Sequence, residues 1–115
     1  MSPNDPNASD RIYSELASDD SMLELVEMFV EEIPDRVKSL QDALNAENYE
    51  GLKHLAHQLK GAAGGYGFHD ITEPSRALEI SSEANLDNPT LIRQDAETLI
   101  GFLNRMTAAP DPNET

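Results

Sequence analysis

A histidine, a lysine and a run of glycines stand close together in His57-Gln58-Leu59-Lys60-Gly61-Ala62-Ala63-Gly64-Gly65-Tyr66-Gly67-Phe68. Imidazole titrates at about 6.5, so near neutral pH it is largely an unprotonated nucleophile. A lysine one helical turn away supplies positive charge for an anionic reactant. Placing residues 50–66 on a helix at roughly 100° per residue separates two faces. Leu52, Leu55, Ala56, Leu59, Ala62, Ala63 and Tyr66 lie within about 80° of the point opposite His57, a core face. Glu50, Lys53, His54, Lys60, Gly61 and Gly64 lie within about 60° of His57, a solvent face.

Glycine in a helix costs roughly 0.5–1 kcal/mol against alanine. Two readings of Gly61, Gly64 and Gly65 stand side by side. In one, Gly64 and Gly65 end the helix and Gly61 is merely tolerated. In the other, side-chain bulk is absent because another protein must approach the His57 ring.

The pattern His-x-Leu-Lys-Gly-Ala-Ala-Gly-Gly-Tyr-Gly resembles the signature of histidine-containing phosphotransfer (HPt) domains of two-component phosphorelays. The resemblance runs from about Ile12 to Met106, and Met22-Leu-Glu-Leu-Val-Glu-Met-Phe-Val-Glu-Glu-Ile-Pro-Asp-Arg-Val is similar to the family's first helices. It implies that His57 is phosphorylated, through its outward Nε2, by a receiver-domain aspartate and passes the phosphoryl group on. Lys60 would then stabilise phosphoryl charge. Gln58, about 100° round the helix, would offer a hydrogen bond at the rim. Lys53, His54, Gly61, Gly64 and Gly65 would face the partner. In some family members a polar residue of the following helix orients the histidine ring; here Ser75, Arg76, Glu79 and Ser82 are on offer, and the sequence does not choose among them. No cofactor is implied, since the receiver brings its own Mg²⁺, and the chain itself would have no kinase activity.

The elements that must position these residues follow from periodicity. Ser18, Asp19, Asp20 and Ser21 are N-cap types before Met22, Leu25, Val26, Phe29 and Ile33, which recur at helical spacing. Pro34 should kink or break that helix near Ile33, with Val37, Leu40 and Leu44 continuing the stripe. Asn48 is the expected N-cap of the His57 helix. For the next helix, an Asp70–Glu73 capping box and a start at Thr72 remain alternatives. Pro74, Ala77 and Leu78 give it an apolar side. Asn88-Pro89 starts a last helix carrying Ile92, Ala96, Leu99, Phe102, Leu103 and Met106. No alternating strand pattern is evident. The expected fold is all-α, an antiparallel four-helix bundle with a short additional N-terminal helix. Residues 1–11 and 107–115 read as disordered arm and tail around a bundle at 12–106.

A chain of 115 residues makes one domain. Cysteine is absent, and no signal peptide or membrane-length apolar run is evident. These features lead to the expectation of a cytoplasmic protein, and the need to keep the outer face of the His57 helix accessible to that of a monomer; the resemblance implies receiver domains and a hybrid sensor kinase as partners. A net charge of −14 opposes binding to nucleic acid or anionic membranes. Against that charge Lys53 and Lys60 read as a positive island. There is no nucleotide-binding glycine loop and no hydrolase triad. The alternatives are a helical interaction module without phosphotransfer and, more distantly, a metal site from Glu50, His54 and His57, which share one face. His54 otherwise reads as a solvated bystander, and His69 as a capping residue or an inert one.

Overall fold

A computed structural model describes residues 11–108 of the chain. It contains a short strand β1 (Ile12–Tyr13), helices α1 (Asp20–Asn45) and α2 (Tyr49–Gly65), and a 3₁₀ turn at His69–Ile71. Helices α3 (Thr72–Ala84) and α4 (Pro89–Asn104) follow, then strand β2 (Met106–Thr107). Consecutive helices pack on one another, and α4 closes back on α1. The core between them is built from Val26, Phe29, Ile33, Leu40, Leu52, Leu59, Phe68, Ile71, Leu78, Ile92, Leu99 and Leu103.

Three helices begin where a side chain can take over an orphan backbone donor. Asp19 accepts the Ser21 N–H at 3.0 Å, Asn48 the Gly51 N–H at 2.9 Å, and Asn88 the Leu91 N–H at 3.2 Å. Helix α3 starts differently. Its N-cap is Ile71, with no side-chain cap, and the chain winds into it through the 3₁₀ turn. Of the two expected starts the helix takes Thr72, as its first residue and without a side-chain cap, and the Asp70–Glu73 box does not form, because the turn's own backbone bonds lead straight into the helix.

Four further expectations are corrected. Helix α1 runs unbroken through Pro34. Pro34 is exposed, and its ring leaves the Val30 carbonyl without the N–H that would pair with it in a regular helix. Leu25 is 45% exposed and belongs outside the core stripe. The additional N-terminal helix is replaced by β1 and turns, and β1 pairs in parallel with β2, Ile12 opposite Met106 and Tyr13 opposite Thr107. Two-residue strands are too short to show an alternating pattern. The expected arm 1–11 and tail 107–115 fall mostly outside the described residues; within them Arg11 leads into β1 and Thr107 lies in β2.

Proline at an exposed position inside a helix carries a cost with no burial of its own to offset it. Pro34→Ala should therefore raise stability by about 1–3 kcal/mol in urea denaturation. An unchanged or lowered midpoint would mean that the proline serves the packing of α1.

Candidate functional site

The site rests on how α2 is set against α3. On α2, Leu52, Ala56, Leu59 and Ala63 are buried. On α3 the buried face is Pro74, Ser75, Leu78, Ser81 and Ser82. Both faces carry small residues, and the two helices share the most extensive contact of any pair in the bundle. The buried hydroxyls of Ser81 and Ser82 donate back to the Leu78 carbonyl at 3.3 and 2.6 Å, so these serines behave as small, self-satisfied packing residues.

This packing brings Glu79 of α3 to the edge of the α2 surface. Its Oε2 lies 2.8 Å from His57 Nδ1, and its Oε1 accepts a hydrogen bond from Lys60 Nζ at 2.6 Å. One carboxylate thus bridges the histidine and the lysine. The Lys60 hydrogen bond holds the Glu79 carboxyl below its ordinary pKa; partial burial opposes this, and the His57 contact adds to it. An ionised carboxylate only accepts, so Nδ1 of neutral His57 must carry the ring proton. The Nε2 lone pair is then left free, on a side chain that is 67% exposed. Among the described residues Nε2 has no hydrogen-bond partner.

Glu79 was one of four equivalent options in the sequence. The structure separates them. Ser75 and Ser82 are buried and short, and Arg76 is exposed beside Glu73 at 3.5 Å. The usable signal would have been charge: of the four, only Glu79 is complementary to Lys60.

The remaining candidates divide. Lys53 lies 3.4 Å from Glu50, and His54 Nε2 lies 3.3 Å from the same carboxylate. The positive island is therefore compensated, since Lys53 and Lys60 each have an acidic neighbour. Glu50, His54 and His57 do not converge, because His57 turns to α3; among the described residues no group of three or more metal-ligating side chains forms. Gln58 and His54 line a groove between α1 and α2, with Ser39 and Asp42 opposite, so Gln58 faces away from the Glu79 side. His69 is exposed and pairs with Glu15 at 3.0 Å instead of capping a helix.

The glycines also separate. A Cβ on Gly61, Gly64 or Gly65 would meet nothing within 4 Å, so no internal packing requires these glycines. The chain reverses at Gly67, whose φ of +83° suits glycine, while α2 continues through Gly65. Helix termination thus accounts for Gly67. It leaves the bare surface beside His57 without an internal reason.

Residues 24–109 match the sequence family described as the Hpt domain. The chain belongs to the Hpt domain family. No curated protein and no solved structure matches it. Hpt domains act in phosphotransfer in two-component systems, as phosphocarrier modules and not as kinases. In this Hpt domain no helix among the described residues is long and apolar enough to cross a membrane.

The lowered Glu79 pKa has a definite sign. A carboxyl more acidic in the folded state stabilises the fold above its unfolded pKa, and that contribution is lost as pH falls through the folded value. Urea midpoints followed from roughly pH 6 to pH 3 should fall less steeply for Glu79→Gln than for the wild type. Parallel curves would mean that the bridge contributes nothing to stability.

Proposed function

We propose that this Hpt domain relays phosphoryl groups between receiver-domain aspartates through a phosphohistidine at His57. The observation that carries the reading is the Glu79 bridge, which fixes the proton on Nδ1 and leaves Nε2 outward and unpaired. In the step proposed, the Nε2 lone pair attacks the phosphorus of an aspartyl phosphate. The N–P bond forms, the acyl P–O bond breaks, and the aspartate leaves as a carboxylate. With its proton kept on Nδ1, the ring becomes cationic as the bond forms. The Glu79 carboxylate, 2.8 Å away, offsets that charge where it appears. Transfer to a second receiver is the same sequence in reverse. Such a loose phosphoryl transfer asks mainly for positioning and charge compensation.

Lys60 has two parts in this reading. It keeps Glu79 ionised, and its ammonium sits one turn from the reacting nitrogen, beside the place the phosphoryl oxygens would occupy. Gly61, Gly64 and Gly65 leave room for the edge of a receiver, with Lys53 and His54 at the rim and Gln58 on the groove side. Met28, 53% exposed on α1, and the half-buried Met22 and Leu23 extend an apolar flank to the docking surface. Mg²⁺ would come with the receiver, and a hybrid sensor kinase would stand upstream. The reading includes an antiparallel arrangement of the helices, favoured by short connections, and a cytoplasmic monomer with the outer face of α2 uncovered.

The deciding experiment is transfer from a phosphorylated receiver domain without ATP, followed by phosphate labelling and phosphorus NMR. The wild type should acquire an acid-labile, base-stable phosphoramidate and His57→Gln none, with helical content and melting unchanged. Absence of label on the wild type from a panel of receivers would favour the interaction module that carries no phosphate. Separately, Gly64→Leu should weaken receiver binding at least tenfold, about 1.4 kcal/mol, while leaving thermal unfolding in place. Unaltered affinity would remove the docking role of the glycine surface.

A further inference from the structure

The end of α2 is intrinsically weak as a helix. Gly61, Gly64 and Gly65 fall in its last turns, favour the helix poorly and make no Cβ contact. Phe29 of α1 stacks on Tyr66, and the backbone of this end is held by the segment before α1. Ser14 is buried, and its Oγ donates to the Tyr66 carbonyl at 2.5 Å while accepting the Leu16 N–H at 3.0 Å. The Glu15 N–H donates to the Gly67 carbonyl at 2.9 Å. The approach is close: a Cβ on Gly67 would lie 2.6 Å from Ser14 Oγ and 3.0 Å from the Glu15 nitrogen. The segment is anchored in turn, because the Ile12 N–H donates to the Arg105 carbonyl at 2.8 Å and β1 pairs with β2.

We infer that residues 12–16 form a clamp that keeps the glycine-rich end of α2 helical, so that the surface beside His57 is already shaped when a receiver arrives. Ser14 is then a positioning residue for docking and takes no part in the chemistry at His57. This use of the clamp rests on the phosphorelay reading. It separates two donors. A small phosphoryl donor needs only the ring, held by Glu79 on α3, whereas a receiver domain needs the shaped surface.

The test uses the full chain as wild type, Ser14→Ala, Ser14→Ala with Gly61→Ala, and Glu15→Pro. The last deletes the N–H donated to Gly67 but also restricts the backbone at 14 and 15 and removes the carboxylate beside His69, so that Glu15→Ala, with the N–H kept, is its control. In Ser14→Ala and Glu15→Pro, amide hydrogens of residues 62–68 should exchange about tenfold faster than in the wild type, with the middle of α1 and α4 unchanged. Adding Gly61→Ala should return much of that protection, since alanine favours the helix and its methyl meets nothing. In Ser14→Ala and Glu15→Pro, labelling by phosphoramidate should keep its wild-type rate. Transfer from a phosphorylated receiver should show a KM raised about tenfold with kcat retained. Unchanged exchange at 62–68, equal acceleration throughout the bundle, or equal slowing with both donors would overturn the inference. If the wild type accepts phosphate from neither donor, the phosphorelay reading fails, and the exchange data still decide whether the clamp exists.

Discussion

A single carboxylate shared by a histidine and a lysine sets the demands on the rest of this molecule. Glu79 reaches His57 and Lys60 at once only if α3 lies close to α2 and at one rotational setting. Close approach requires small residues on the facing sides, and Ala56, Ala63, Ser75, Ser81 and Ser82 supply them. Rotational setting requires a continuous apolar stripe beneath the site, which Leu52, Leu59 and Leu78 provide, each at most 1% exposed. The bridge is exposed enough to react and buried enough to be directional. Its members could not be moved to other turns of the same helices without losing one of the two contacts.

The bundle around this pair is mostly scaffolding of an ordinary kind. Caps at Asp19, Asn48 and Asn88 start three of its helices. Phe29 stacks on Tyr66 with ring centroids 4.7 Å apart and meets Phe68 at 6.1 Å, which ties α1 to the end of α2. Gly51 leaves space for the Asn48 side chain, which a Cβ would meet at 2.6 Å. The unusual region is the outer surface of α2, where bare backbone is kept at a cost in helix stability that no packing at the glycines themselves recovers.

Much of this was legible in the sequence because helical periodicity is a strong signal. The face division of α2 and the caps Asn48 and Asn88 follow from local rules. What failed depended on tertiary context. Pro34 reads as a kink or a break by local sterics, and the break does not occur, with Ile33 and Val37 packed on one core to either side of it. The β1–β2 pair joins residues at opposite ends of the chain, and no local pattern announces it. The same reason left Glu79 unresolved among its neighbours, since its partners lie on another helix. The charge of Lys53 and Lys60 was visible, but its compensation by Glu50 and Glu79 was not.

The parallel pairing of Ile12 with Met106 and of Tyr13 with Thr107 has a mechanical consequence. Two strands of the same sense present the start of one and the finish of the other at opposite ends of their ladder. Tension applied across Ile12 and Thr107 would therefore load the pair in shear, through its backbone hydrogen bonds, before it reached α2 and α3. The spacing of His57 and Glu79 is thereby insulated from pulling at the two strands.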